Sequence, residues 1–162
     1  MAFGRAAKRL DEHRANSADA VRLGALALLA RREYASAELI AALVRKGYAA
    51  PVVKEVVAVL AADHLLDDTR YAGSLVRMLV GRGLGPLRIS RQLREAGLAD
   101  EQIAAALEEG PDWQELAAEV RRRKFGADVP HAWPARAKQM RFLQYRGFSG
   151  DHVSHAMGHN DP

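Results

Sequence analysis

A leucine followed four residues later by glycine, and then by another bulky apolar residue, punctuates this chain three times. The stretches are Leu43-Val44-Arg45-Lys46-Gly47-Tyr48, Leu93-Arg94-Glu95-Ala96-Gly97-Leu98 and Leu143-Gln144-Tyr145-Arg146-Gly147-Phe148, and their glycines recur with a period of 50 residues. The pattern predicts Schellman helix ends. The C′ residue takes φ > 0, where glycine has no Cβ to clash, and the side chains at C3 and C″ touch. Those contacts would join Leu43 to Tyr48, Leu93 to Leu98 and Leu143 to Phe148. Three copies of one helical unit are expected.

Apolar positions around each glycine recur at helical spacing, and no useful length alternates with period two. Ser17 or Asp19 can cap a helix over about 20–33, with Leu26, Leu29 and Ala30 as its stripe. Ser36 caps a second helix carrying Leu39 and Leu43. Pro51 suits the first turn of a third, which buries Val53, Val56, Val57 and Leu60. In the next copy Asp67 or Asp68 caps a helix lined by Tyr71, Leu75, Met78 and Leu79, and Gly81, Gly83 and Gly85 break it. Pro86 then opens a helix with Ile89, Leu93 and Ala96 on one face, and Asp100 caps another with Ile103 and Leu107 inward. In the last copy Asp112 caps a helix over about 113–125, Gly126 to Pro134 form a loop, and a helix over about 135–146 precedes one capped by Ser149 and carrying Val153 and Met157. Position 139, equivalent to Leu39 and Ile89, is Gln, so this copy has diverged or rotated its contact.

The expected architecture is all-α. A charged leader (1–18) precedes three tandem three-helix repeats (19–66, 67–110 and 111–158) and a tail (159–162). Units this small bury little surface alone, so neighbours should stack into a short elongated array, straight or curved.

Charge changes the picture most between Arg70 and Arg94, where six arginines occur with no acidic residue: Arg70, Arg77, Arg82, Arg88, Arg91 and Arg94. Arg70 and Arg77 share a helical face, and Arg88, Arg91 and Arg94 lie opposite Ile89 and Leu93. Arg121, Arg122, Arg123 and Lys124 form a second cluster at a helix C-terminus, where the dipole favours cations with no partner at all. These ten residues are the candidate partner-binding set, for phosphate or an acidic protein surface; the plainer reading is a solvated cationic face. The net charge of +4 adds a mild bias toward acidic partners.

The remaining chemistry is thin. Apolar residues make up 49% and charged residues 27%, ordinary for a folded protein, and aromatics only 6%, so Leu, Val and Ala must build the core. There is no cysteine, which excludes disulfides and thiolate metal sites and fits a reducing cytoplasm. No apolar run reaches the ~18 residues of a membrane span, and Met1 to Arg5 lack the core of a signal peptide. Gly81-Arg82-Gly83-Leu84-Gly85-Pro86 has neither a preceding strand nor a following Gly-Lys-Ser/Thr, so it reads as a turn rather than a phosphate loop. His152, His155 and His159 share a face without accompanying carboxylates, Ser149, Asp151 and His152 are too close in sequence for triad geometry, and Trp113 and Trp133 suit core packing better than base stacking. No catalytic set, cofactor or metal is expected.

Leu65-Leu66-Asp67-Asp68-Thr69-Arg70-Tyr71-Ala72, Val76-Arg77, Gly85-Pro86-Leu87-Arg88-Ile89, Leu93 and Gly97 together resemble the central motif of the RecX family of bacterial recombinase regulators. Leu28 to Tyr34, Ser36, Glu38-Leu39 and Lys46-Gly47-Tyr48 are similar to that family's first unit, and Arg146-Gly147-Phe148 to its last. The resemblance spans about residues 20–157. It implies three tandem three-helix repeats of winged-helix-like character. It also implies a non-enzymatic, cytoplasmic, monomeric protein that binds the RecA–DNA filament in its groove and inhibits strand exchange, ATP hydrolysis and coprotease activity, in recombination, DNA repair and the SOS response. It supplies no catalytic residues. The alternative, from the arginines themselves, is a nucleic-acid-binding helical module that contacts phosphates of single-stranded or duplex DNA directly.

Overall fold

A computed structural model describes residues 10–158. The first nine residues of the expected leader, the tail from 159 and His159 lie outside the described residues. Among those described there is no strand. A single helical turn, α1 (Glu12–Ala15), lies within the expected leader. Three trios follow: α2 (Ala18–Leu29), α3 (Ser36–Arg45) and α4 (Ala50–Ala62); α5 (Asp68–Gly81), α6 (Pro86–Glu95) and α7 (Asp100–Glu108); and α8 (Trp113–Phe125), α9 (Ala135–Arg146) and α10 (Gly150–Ala156). By packing, the chain forms two compact units that divide between Tyr71 and Ala72.

The three glycines end their helices as the spacing requires. Gly47, Gly97 and Gly147 have φ of 102°, 89° and 96°. In each motif the C″ amide donates to the C3 carbonyl: Tyr48 to Leu43 at 3.3 Å, Leu98 to Leu93 at 3.2 Å and Phe148 to Leu143 at 3.2 Å. Leu43, Leu93 and Leu143 are fully buried. The same bond pattern closes α5, with Gly83 at C′ (Leu84 N–H to Leu79 O, 3.1 Å), and α4, where His64 takes the C′ position at φ 58°.

In the first unit α2, α3 and α4 bury Val21, Ala25, Leu28, Leu39, Leu43, Val53, Val56, Val57, Leu60 and Leu66 in one core. The residues of α2 that are buried outright are Val21, Ala25 and Leu28; Leu26 and Leu29 of the expected stripe pack partly buried against the same core, while Ala30 is exposed. The cap of α3 also differs from expectation. Ser36 is the first helical residue, not the cap, and its free N–H donates to Asp68 Oδ1 at 2.7 Å. Asp67 does cap α5, accepting the Arg70 N–H at 2.9 Å.

In the second unit α5 buries Ala72, Val76 and Leu79, while Met78, expected inward, is exposed. Ala99, not Asp100, precedes α7, and its N–H is held by the Gln102 side chain at 3.0 Å. Asp112 caps α8 through the Gln114 and Glu115 amides, and Ser149 caps α10. The last trio packs around Ala117, Val120, Leu143, Phe148, Val153, Ala156 and Met157.

The second and third trios are joined backbone to backbone. The N–H of Gly85 donates to Arg146 O at 2.8 Å and that of Leu87 to Gly147 O at 3.0 Å. The first amides of α6 and the last carbonyls of α9, unpaired within their own helices, thus satisfy one another, and the positive and negative ends of two helix dipoles meet. The approach is so close that a Cβ on Gly85 would lie 2.5 Å from Gly147 C and O. Gly85 is required there for space: its φ of −87° suits any residue.

Candidate functional site

The expected cationic set separates into structural, paired and available members. Arg121 is a structural residue, only 4% exposed. Its guanidinium donates to the carbonyls of Ala127 (3.0 Å) and Asp128 (3.2 Å) and to Gln139 Oε1 (3.2 Å), tying the 126–134 loop to α8 and α9. Burial pulls its pKa below the ordinary arginine value, Arg122 adds to that, and Asp128 opposes it. Arg121 therefore leaves the candidate surface. It also explains position 139: Gln139 keeps the inward orientation of Leu39 and Ile89, and its amide oxygen accepts from the buried cation.

Carboxylates engage several others. Arg70 pairs with Glu33, Arg91 with Glu95 at 3.1 Å, Arg94 with Asp100 at 3.4 Å, and Arg123 with Glu119. These pairs are largely exposed, so each contributes little stability and remains open to exchange with a stronger anion. Arg88 is half-buried; it donates to Tyr145 O at 3.2 Å and lies over the Tyr145 ring at 5.0 Å. Arg77 is exposed, bonds Ser74 Oγ at 3.1 Å, and with Glu109 edges an otherwise mostly apolar pocket of about 400 Å³ that includes Val76, Val80 and Pro111. Arg82, Arg122 and Lys124 are exposed and have no ion pair with a described residue.

The two runs meet at one place. A pocket of about 250 Å³ is lined by Arg82 from the first run and by Arg123 and Lys124 from the second, together with Gly81, Gly83, Val120, Phe142 and Arg146. Arg146 was not a candidate from sequence, where it reads only as the residue before Gly147. Its guanidinium donates to Arg82 O at 2.9 Å and lies 5.1 Å from the Phe142 ring centroid. Gly83, with φ 76°, turns the chain away directly after Arg82, which leaves Arg82 at the C-terminal end of α5.

The minor candidates resolve locally. His152 Nδ1 accepts the Ser149 N–H at 3.2 Å in a reciprocal cap, and His155 lies 3.0 Å from Glu115. Trp113 is half-buried and donates to Leu107 O at 3.3 Å, but Trp133, expected in the core, is 69% exposed. Among the described residues no helix is long and apolar enough to cross a membrane.

Family models match along the chain in three successive segments: the first three-helix domain of RecX over residues 24–60, the second over 67–107 and the third over 112–157. The regulatory protein RecX of Halorhodospira halophila is 45% identical over 138 residues, covering 85% of this chain and 86% of that protein. That of Chromohalobacter salexigens is 41% identical over 137 residues, covering 83% and 89%. In fold, the chain is similar to the crystal structure of RecX from Lactobacillus salivarius, with a TM-score of 0.76 at 21% identity over 87% of this chain and 94% of that one. A second crystal structure, of a regulatory protein RecX, gives a TM-score of 0.74 at 23% identity over 93% and 79%. Three matched domains in register with three helix trios, and relatives that align over most of both chains, establish that this chain belongs to the RecX family of regulatory proteins.

Proposed function

We propose that the chain regulates the recombinase RecA by binding the RecA–DNA filament in the cytoplasm and lowering its strand-exchange, ATPase and coprotease activities. The observation that carries this reading is the match of all three trios to RecX domains, with 45% identity to a regulatory RecX protein over most of the chain. The repeats, divided at 66/67 and 110/111, suit a partner that itself repeats, since successive modules can meet successive subunits. The mechanism is obstruction of the filament groove by a bound monomer, with no covalent chemistry. Of the candidate cations, Arg77, Arg82, Arg122 and Lys124 are the ones exposed without a carboxylate partner among the described residues, and they are the first to examine at the RecA interface.

ATP turnover by RecA on single-stranded DNA measures this directly. Adding the protein should lower turnover progressively. Turnover that stays constant up to equimolar amounts would refute the proposal.

A further inference from the structure

We infer that the pocket between α5, α8 and α9 is a phosphate site for a nucleic-acid backbone. Its walls carry Arg82, Arg123, Lys124 and Arg146, and one carboxylate, Glu119, is bound to Arg123. The ends of α5 and α8 each bring roughly half a negative charge. The end of α9 is met by the start of α6 and adds little. About two positive charges therefore remain uncompensated around a volume of about 250 Å³. Arg146 is held in place by Arg82 O and by the Phe142 face, so one donor fork is already ordered before any ligand arrives.

The surroundings favour a polyanion over an isolated acidic group. From residue 120 to 150 the only acidic residue is Asp128. Arg122, Lys138 and Arg141 are exposed on the same two helices, α8 and α9, which extends positive charge beyond the pocket. Tyr145, also on α9, is 75% exposed, with Arg88 over its ring. Cations distributed along a surface with an exposed aromatic fit a strand that presents a phosphate at each step and bases to stack. An acidic peptide would match the cations but has no bases to place on the exposed ring.

The test uses residues 1–162 without RecA, so its outcome is separate from that of the RecA proposal. Binding of fluorescein-labelled oligo-dT is followed by anisotropy across a salt titration for wild type, Arg82→Gln, Lys124→Gln and Lys54→Gln. The first two substitutions remove exposed pocket cations; the third removes an exposed cation of α4, outside both cationic runs, as a control. The pocket variants should weaken binding on the order of fivefold and lower the slope of log affinity against log salt by roughly 0.7 each. The control should change neither, and all melting temperatures should match wild type. Equal losses in the control, or unchanged slopes in the pocket variants, would overturn the assignment. Displacement of oligo-dT by poly-glutamate at equal charge concentration would also overturn it, in favour of a carboxylate ligand.

Discussion

Replacing Gly85 by Ala tests the backbone junction between α6 and α9. The added Cβ would lie 2.5 Å from Gly147 C, 2.5 Å from Gly147 O and 2.6 Å from Phe148 N. Carbon atoms prefer about 3.5–4.0 Å, so the two helix ends must part by about 1 Å. That movement strains or breaks the bonds from Gly85 to Arg146 O and from Leu87 to Gly147 O, each contributing about 1 kcal/mol. Overpacking in a closed site costs a further ~1–3 kcal/mol. Against this, Ala at φ −87° is unstrained and gains about 0.4–1 kcal/mol from a less flexible unfolded chain. The expected net loss is about 2–5 kcal/mol, a fall in melting temperature on the order of 10 °C or more for a unit of this size. Gly81→Ala is the matched control: Gly81 is the last residue of α5, and its Cβ would meet nothing within 4 Å. That variant should gain about 0.5–1 kcal/mol. Calorimetry or denaturant melts of both variants read the difference. A Gly85→Ala protein as stable as wild type, or a Gly81→Ala protein that falls as far, would refute the reasoning.

Three further outcomes are expected. His64→Gly should raise the unfolding free energy by about 1 kcal/mol, because His64 holds φ 58° at an exposed helix end where a Cβ is strained; an unchanged denaturation midpoint would argue against stored strain. Burial depresses the pKa of His152, with Asp151 and Asp112 opposing. Its contribution to stability is then full above the unfolded value near 6.5 and declines as pH falls through that value toward the lower folded one. His152→Gln, which keeps an acceptor for the Ser149 N–H, should flatten the stability profile below pH ~6.5; an undiminished slope would exclude His152 as its source. Arg121→Leu should cost about 2–3 kcal/mol and Gln139→Leu about 1–2, yet the double variant should lose at least ~1 kcal/mol less than their sum, since neither partner is then left buried alone; additive losses in urea melts would sink that coupling.

The helix ends were legible because they are backbone demands. A φ near +90° selects glycine, and the leucine five residues before the C″ side chain is fixed by the same turn, so three residues per motif report one geometry. Caps were less legible because a local reading looks for them next in sequence. The Ser36 amide is met by Asp68, and the amides of Gly85 and Leu87 by carbonyls on α9. The phase of α5 slipped where alanine lies inward. Ala72 is buried because it is small, while the bulk of Met78 drew the expected stripe toward it. Arg121 looked like its neighbours in a cationic run, but a signal existed: a polar residue at position 139, where the other copies have Leu39 and Ile89, implied a polar partner somewhere in that core. Arg146 could not be chosen from sequence, since its role depends on Arg82, which only the fold brings beside it.

The junction and the pocket share their supports, which links stability to binding. Arg146 contributes its carbonyl to Gly85 and its guanidinium to Arg82 O, so one residue closes α9 against α6 and also orders the pocket wall. Moving the end of α9 by about 1 Å to admit a Cβ at position 85 displaces the guanidinium fork by a similar distance, enough to spoil a bidentate contact whose geometry is fixed by the planar group. Gly85→Ala, assayed well below its melting temperature so that the chain is still folded, should therefore weaken oligo-dT binding although residue 85 carries no charge. Substitutions that destabilise the first unit alone, such as Gly97's counterpart Gly47→Val at φ 102°, should leave that affinity unchanged in the folded fraction. Oligo-dT affinity that follows global stability in both variants alike would mean that the junction has no privileged hold on the site.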